Sequence, residues 1–579
     1  MFKSVLQFPN PSIPKVLSHL SLPKLAQLPV ARPQLRLKQL EQWAITLPKG
    51  NTTVVAHQML EKLKTLNHSP YPARERVELL TFLRPILDEL LQTIREPLRK
   101  TNIPLDNQQL YQAKLLQSLQ EQMAIGYKRA TCALASKPQR REFDQLLLIE
   151  SIYMAMVYLS HRLIDTYSLY TEEPAYVWSD LNYLYQFAEA NQLHTQLVDD
   201  HLPDTPLPVH LTIDFAYKRI LLLRLAEPYH LMQHEADDIF RLIASSVESC
   251  TLEPYMEIVT QGEYVIDLSA DSAPRYLENT TPWHPSKPRI VDISKVKRQL
   301  NIHLSRLLRS NMHNAEFAAV SLVERQQRDM LLRLADAWHG SLVRQTPRFQ
   351  LKAQVELTSG LNAAHHYISN REPFTPEMDE LKLISHTYDL DAHHDTVFAN
   401  AYLSALQKDR RHGLQNYAIN PWWQSNVSPI GIALNSKQND YNVDIRVGEL
   451  VTYRFSGKRL QRWQIGVIRW LKHELTDELE GIINIGIMNL ANGIVPIGIK
   501  ALAGLGHGTE YCRGLFVPKQ AISFQQRSLI VPAFSYDVGT ILAVNVKNKI
   551  FYAKLTRMLL STRSFTQFDF EIVQRPMDF

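Results

Sequence analysis

Cysteine is scarce in this chain of 579 residues. Only Cys132, Cys250 and Cys512 occur, far apart and in no paired spacing. This pattern excludes a disulfide framework and a zinc ribbon, and it is typical of proteins from a reducing compartment. We therefore expect a cytoplasmic protein.

An excess of one charge is also lacking. The chain has 63 Lys and Arg against 58 Asp and Glu, which gives a formal net charge of +5. Proteins that bind duplex nucleic acid usually concentrate basic residues in one stripe. We expect no duplex nucleic-acid partner, whereas an anionic small ligand is compatible with this composition.

Long apolar runs are absent as well. Residues Met1 to Leu20 carry prolines at positions 9, 11 and 14 and do not have the apolar centre of a signal peptide. The most apolar helical stretch, Leu146–Ser160, contains Glu150 and is shorter than the roughly 20 residues that a bilayer requires. We expect no transmembrane segment.

Several common enzyme motifs are missing too. The sequence contains no P-loop, no G-x-G-x-x-G after a strand and no G-x-S-x-G nucleophile motif. The sequence assigns no catalytic residue, and we expect that the protein is not an enzyme.

The first 340 residues have helical periodicity. Six prolines within residues 1–35 predict an extended arm that lies on a neighbouring surface or stays loose. From 36 to 340 apolar residues recur every three or four positions, as in the segment from Leu110 to Met123. This spacing predicts an all-α region. A short extended segment is predicted at Tyr264 to Leu268.

The period changes to two after residue 350. Apolar residues from Leu351 to Leu357 alternate with polar ones, which is typical of a half-buried strand. Similar runs follow from residue 443 to the C-terminus. Many short strands predict a closed antiparallel barrel, because closure removes exposed strand edges.

These patterns together predict an α+β multidomain protein. The helical domain over 36–340 is followed by a β-barrel over 344–520. A helical insertion at about 361–420 interrupts the barrel, and a C-terminal β extension covers 521–579.

Two short motifs flank the first barrel strand. Arg344 and Arg348 form an R-x-x-x-R directly before it, and Asn426, Ser428 and Gly431 form an N-x-S-x-x-G that we expect at the start of the next strand. Arginine can fork onto a phosphate and stack on a flat base. Side chains two positions apart share one strand face, and a glycine allows close approach of a ligand.

In this order the two motifs resemble those of the PilZ family of cyclic-di-GMP receptors. The segments from Arg446 to Leu450 and from Gln464 to Trp470 also look like that family's middle strands. The helical front half resembles the layout of large proteobacterial PilZ-domain proteins. The resemblance implies a PilZ-like antiparallel β-barrel with extra strands.

The resemblance also implies a ligand and a role. Cyclic-di-GMP would be bound by Arg344, Arg348, Asn426, Ser428 and Gly431, at the border of the helical domain, with no metal and no other cofactor. The role would be that of a second-messenger receptor in type IV pili, surface motility, attachment or biofilm formation. Its protein partner would belong to the pilus or motility machinery.

Two other functions stay open at this point. One is a PilZ-like adaptor in pilus assembly that has lost its ligand. The other is a metal-dependent hydrolase that uses histidines of the insertion, namely His365, His366, His386, His393, His394 with Asp395, and His412.

Two further features allow more than one interpretation. Trp422 and Trp423 precede Asn426 and are predicted to cap the base of the barrel, with a stacking wall for guanine as the alternative. A second R-x-x-x-R, from Arg95 to Arg99, falls inside a predicted helix and is interpreted as a solvated pair.

Overall fold

The computed structural model describes most of the chain, in two compact units. The units are Met1–Arg306 with Leu331–Val343, and Leu307–Met330 with Arg344–Phe579. The described residues are 14–24, 35–101, 103–137, 141–200, 210–255, 263–277, 284–314, 322–339, 349–350, 352–376, 417–437, 445–457, 462–475, 481–491, 493–505, 510–519, 527–546 and 549–575.

Helices dominate the first unit, as the sequence predicts. The last two cross the division between the units. The helices are α1 (Leu37–Ile45), α2 (Thr52–His68), α3 (Ala73–Arg99), α4 (Asn107–Ala135), α5 (Glu142–Ser168), α6 (Val177–Ala190), α7 (Ile213–Leu225), α8 (Glu235–Leu242), α9 (Ser294–Asn314) and α10 (Leu322–Trp338).

Local sequence explains where some of these helices begin. Asp106 caps α4 by accepting a hydrogen bond from the backbone N–H of Gln109 at 2.8 Å. The Gln109 side chain in turn accepts the N–H of Asp106 at 2.9 Å, which completes a capping box. Thr212 caps α7, because its side-chain hydroxyl oxygen accepts a hydrogen bond from the backbone N–H of Phe215.

Helix α5 lies at the centre of the helical domain. It runs beyond the Leu146–Ser160 stretch and has 27 residues, so it is long and apolar enough to cross a membrane by length and composition alone. Most of its apolar stretch is nevertheless buried inside the domain. Its all-round apolar surface is that of a core helix.

The segment Pro14 to Lys24 is the described part of the predicted N-terminal arm. It contains a short 3-10 turn at Leu17–His19, and Leu17 is buried. Ser21 donates through its backbone N–H and its hydroxyl to Asp180, whose carboxylate also accepts from the buried Lys128 ammonium at 2.6 Å. This part of the arm therefore lies on the helical domain.

A small antiparallel sheet interrupts the helices. Its strands are β1 (Thr251–Pro254), β2 (Tyr264–Asp267), β3 (Arg275–Tyr276) and β4 (Pro288–Asp292), in the order β1-β4-β2-β3. Strand β2 coincides with the extended segment predicted from the sequence. At its end Asp267 accepts three backbone N–H bonds, from Ser269, Ser286 and Lys287.

The second unit contains two closed six-stranded barrels. The first has the order β10-β7-β6-β5-β8-β9. Its strands are β5 (Gln354–Ser359), β6 (Asn420–Ser428), β7 (Gly431–Lys437), β8 (Leu450–Phe455), β9 (Gln464–Leu475) and β10 (Gly481–Ala491). The alternation predicted around Val355 and Leu357 is confirmed, since both side chains are fully buried in β5.

The alternation between Val443 and Val447 does not produce a strand. Val443 lies outside the described residues, and Ile445 and Val447 are buried without strand pairing. Gly448 adopts a φ of +84°, which β-strands do not use, and the chain turns there into β8. Core burial alone produced the alternating pattern.

The second barrel replaces the predicted C-terminal extension. Its order is β11-β12-β13-β16-β15-β14. Its strands are β11 (Val495–Ala503), β12 (Cys512–Val517), β13 (Ser528–Pro532), β14 (Ile541–Val546), β15 (Lys549–Ser561) and β16 (Phe565–Val573). The predicted boundary at 520 thus falls inside this barrel, because periodicity reveals strands but not which distant strands pair.

A short helix packs in a core cluster that contains residues of both barrels. This helix, α11 (Leu361–Ile368), is the described part of the predicted insertion; residues 377–416 lie outside the described chain. Its Leu361 and Ala364 pack with Leu450 and Val467 of the first barrel and with Phe565 of the second. The insertion therefore begins as a packing element between the barrels.

A buried histidine makes the first barrel sensitive to acid. His473 lies inside the barrel opposite Ile483, and burial lowers its pKa to about 4. In the unfolded chain its pKa is about 6.5, so the unfolded state binds the extra proton between pH 6.5 and 4.

We predict that the unfolding free energy of the barrel falls by about 3 kcal/mol as the pH drops from 6.5 to 4. Urea titrations followed by tryptophan fluorescence would measure it, and His473→Gln would lose most of this pH dependence. His303→Gln, at an exposed position of α9, is the matched control. Equal pH slopes in wild type and His473→Gln would contradict the assignment.

Candidate functional site

The N-x-S-x-x-G motif forms a tight hairpin at one end of the first barrel. Ser428 ends β6 and pairs with Gly431, which begins β7, so only Pro429 and Ile430 form the turn. The motif therefore ends one strand and turns into the next, rather than starting a strand as the sequence suggested. The Ser428 hydroxyl donates to the Gly431 carbonyl oxygen at 3.2 Å.

A β-bulge decides which side chains of β6 share a face. Trp423 pairs with Asn435, whereas Asn426 pairs with Ala433, because the register shifts between Gln424 and Asn426. Paired residues in an antiparallel sheet point to the same side. Since Asn435 and Ala433 are two positions apart, Trp423 lies on the face of Asn426.

The outer face of β6 thus carries Trp423, Asn426 and Ser428. Trp423 is 51% exposed, and both polar side chains are half-buried. Trp422 is fully buried inside the barrel. The two tryptophans therefore have different roles: the first packs in the core, and the second offers an indole on the surface beside the motif.

Asn426 keeps its hydrogen-bonding capacity. No described residue forms a hydrogen bond with its side-chain amide, which has two donors and an acceptor. Ser428 retains the lone pairs of its hydroxyl after donating to Gly431. The hairpin can therefore both donate to and accept from a polar ligand on its outer face.

Gly431 is required by the barrel itself. A Cβ at this position would overlap the backbone carbonyl of Ile487 in the neighbouring strand β10. Backbone cannot move aside as a flexible side chain can. The close approach that needs a glycine here is therefore between β7 and β10, in addition to any approach of a ligand.

Arg344 and Arg348 lie outside the described residues, whereas Phe349, which follows Arg348, is described. Phe349 forms an isolated antiparallel bridge with Val427, the residue between Asn426 and Ser428. The Phe349 N–H donates to the Val427 carbonyl at 2.9 Å, and the Val427 N–H donates back at 3.0 Å. Phe349, the residue directly after Arg348 in the sequence, thus joins the barrel at the hairpin motif.

The histidines of the hydrolase alternative form no metal cluster in the described chain. His386, His393, His394, Asp395 and His412 lie outside it, and in the described part no three potential ligands come together.

His365 is instead a packing residue of α11. It is buried edge-on against Phe374 at 5.2 Å. Burial, with a smaller effect of the Arg513 charge, lowers its pKa to about 3.

Three family models match the chain. The model described as "Cyclic-di-GMP receptor FimW, N-terminal domain" matches residues 38–255, and the "middle PilZ domain" of the same receptor matches 264–421. The "FimW C-terminal beta-barrel domain" matches 497–573. Together these models cover most of the sequence, in the same order.

The chain belongs to the PilZ-domain family.

A curated relative agrees with this assignment. The PilZ-domain chain is 26% identical over 583 residues to the "Cyclic-di-GMP receptor FimW" of Pseudomonas aeruginosa, across 93% of this chain and 92% of the relative. The resemblance and the fold class predicted from the sequence are confirmed. The C-terminal family model spans the second barrel, which includes the C-terminal β extension that the sequence predicts over 521–579.

Two features of the site in the first barrel could not be predicted from the sequence. The bridge from Phe349 to Val427 depends on pairing, which periodicity does not show. The outward direction of Trp423 depends on the bulge in β6, and no residue of the sequence announces that bulge. Both features became visible only with the strand register.

The glycine can be tested separately from ligand binding. We predict that Gly431→Ala lowers the unfolding free energy of the first barrel by about 1–3 kcal/mol, because its methyl group meets the β10 backbone. Gly457→Ala is the control, since a Cβ there meets nothing within 4 Å, and it should change stability by less than about 0.5 kcal/mol. Denaturation in urea measures both, and an unchanged Gly431→Ala protein would contradict the packing role.

Proposed function

We propose that this chain is a cytoplasmic cyclic-di-GMP receptor that is not an enzyme. The dinucleotide would bind on the outer face of the first barrel, held by Arg344, Arg348, Asn426 and Ser428 around the turn at Gly431. The observation that carries the proposal is the bridge from Phe349, the residue after Arg348, to Val427 of the N-x-S-x-x-G motif.

Chain connectivity supports the convergence of the two motifs. Consecutive Cα atoms are about 3.8 Å apart, so Arg348 is one peptide away from a residue that is bonded to Val427. Phe349 shares the face of Val427, which lies between Asn426 and Ser428 in β6.

The chemistry of these groups fits a cyclic dinucleotide with two phosphates and two guanines. Arginine binds phosphate oxygens or a guanine edge through two parallel N–H bonds. The amide of Asn426, which no described residue engages, can pair with a polar base edge. The exposed indole of Trp423 offers a flat surface for a base, and stacking of this kind contributes about 1–3 kcal/mol per base.

The similarity to a protein named a cyclic-di-GMP receptor supports the same ligand. The relative is similar along nearly its whole length, helical domain included. A receptor acts through differential affinity of its ligand for two states. We infer that a protein partner, of the pilus or motility machinery, recognises the barrel with cyclic-di-GMP bound.

The alternative of a ligand-free adaptor is kept as an outcome of the test. An adaptor would retain the barrel and its partner surface but would bind no dinucleotide. Nothing in the described chain supports the hydrolase alternative, because the described histidines contribute to packing and to no metal cluster.

The decisive experiment is a calorimetric titration of the full chain with cyclic-di-GMP. We predict saturable binding to the wild type and a loss of affinity of about 10-fold to 100-fold for Arg348→Ala, since a charge-assisted hydrogen bond contributes about 1.5–3 kcal/mol. Arg563→Ala, which removes an exposed arginine between β15 and β16, is the control and should bind as the wild type does.

Further variants separate the contributions within the site. Asn426→Ala and Trp423→Ala should each weaken binding, the first through lost hydrogen bonds and the second through lost stacking. If the wild type produces no binding heat, the chain is an adaptor. Equal affinities for wild type and Arg348→Ala would place the ligand elsewhere.

A further inference from the structure

The helical domain contains a cavity that the proposed receptor function does not use. It has a volume of about 410 Å³ and lies between α3, α5, α7 and α8. Sites for small molecules typically have volumes of about 300–1,000 Å³. Part of its wall is apolar and aromatic, from Leu91, Val157, Ile164, Phe215 and Phe240.

Arginines make up much of the remaining wall. Four of the five pair with carboxylates: Arg84 with Asp200 at 2.9 Å, Arg95 with Asp165 at 2.6 Å, Arg99 with Asp237 at 2.8 Å and Arg241 with Asp238 at 2.6 Å. The sequence suggested that the R-x-x-x-R from Arg95 to Arg99 is a solvated pair, and this interpretation is wrong. The motif consists of two largely buried ion pairs at the cavity wall.

The fifth arginine, Arg219, has no such partner. It is only 6% exposed, and no carboxylate of the described residues forms an ion pair with it. Its Nε donates to the Phe240 carbonyl at 2.9 Å, and its guanidinium lies 3.7 Å from the centre of the Phe240 ring. The donors on its two terminal nitrogens have no acceptor in the described chain.

Arg219 nevertheless stays charged at neutral pH. Burial lowers its pKa, but only to about 10. A buried cation without a counterion is costly to keep, and such a group is normally paired or bound to a ligand. An anion in the cavity would satisfy both the charge and the open N–H donors.

Two uncharged polar side chains of the cavity can also contribute to the binding of a ligand. Burial, together with the nearby Arg95 charge, lowers the pKa of His161 to about 3, so its ring is neutral at pH 7. Burial raises the pKa of Tyr153, so its hydroxyl stays protonated. Both side chains line the cavity and can form hydrogen bonds with a bound molecule.

We propose that this cavity binds a small organic anion, with one phosphate, carboxylate or sulfonate group on a flat and mostly apolar body. The anionic group pairs with the Arg219 fork, because among the arginines of the cavity wall this guanidinium is the one that pairs with no carboxylate of the described residues. The body lies along Phe215 and the apolar side chains of α5. The cavity thus gives the PilZ-domain chain a second ligand site, independent of the barrel.

The experiment uses the full chain and 1-anilinonaphthalene-8-sulfonate, a fluorescent aromatic sulfonate. We expect saturable binding that is weakened at least 10-fold in Arg219→Met. The matched control is Arg74→Met, because Arg74 also stacks on a phenylalanine, Phe143, and pairs with a carboxylate outside the cavity. That control should bind the probe as the wild type does.

A second variant tests the cavity without removing charge. Val157→Trp fills the space with an indole and should abolish saturable binding. Circular dichroism would show whether each variant is folded. Asn426→Ala, in the barrel motif, should leave binding of the probe unchanged, so the outcome is separate from that of the cyclic-di-GMP titration.

Displacement of the fluorescent probe by other anions identifies the kind of anionic group that the cavity binds. Release of the probe by GMP indicates a phosphate ester, and release by indole-3-acetate indicates a carboxylate. The proposal is contradicted if neither compound displaces the probe. It is also overturned if the wild type shows no saturable binding, or if Arg219→Met and Val157→Trp both bind as tightly as the wild type.

Discussion

Two backbone hydrogen bonds join Phe349 to Val427, and the organisation of the barrel site depends on them. They continue the pairing of the chain with β6 on the N-terminal side of β5, up to the hairpin that contains Ser428 and Gly431. Backbone pairing does not depend on side-chain identity, so this contact holds whatever the surface residues are. It places Phe349, which directly follows Arg348 in the sequence, beside a hairpin motif nearly eighty residues further along the chain.

The bulge in β6 adds a second constraint. Without it, Trp423 and Asn426, three positions apart, would point to opposite faces of the sheet. With it, an exposed indole and an amide that no described residue engages lie side by side on the outer surface. Bulges often redirect side chains next to functional sites. The barrel interior is meanwhile filled by residues such as Trp422, so the outer face is the part available for binding.

The sequence predicted the helical region and the barrel because both follow from local periodicity. The alternation around Val355 and the helical spacing around Leu116 each reflect one buried face. The division between the two barrels was not predictable in this way, since it depends on closure between strands distant in sequence. The motif residues were found from their types and order, whereas the role of Gly431 in strand packing required the position of Ile487.

The arginines of the helical domain show a similar limit. The spacing from Arg95 to Arg99 is that of a common exposed helical pair, and their acidic partners are contributed by other helices. Arg219 follows Lys218 in α7 and precedes the apolar run from Ile220 to Leu223. Sequence alone could not show that it lines a cavity without a carboxylate partner in the described chain.

Hydrogen–deuterium exchange with cyclic-di-GMP would examine the joined motif segments in the intact protein. If the dinucleotide binds across the Phe349–Val427 bridge, amides in the peptides covering 344–349 and 426–431 should exchange more slowly in its presence, in both peptides at the same ligand concentration. Unchanged exchange in both peptides, or slower exchange in only one of them, would contradict the account.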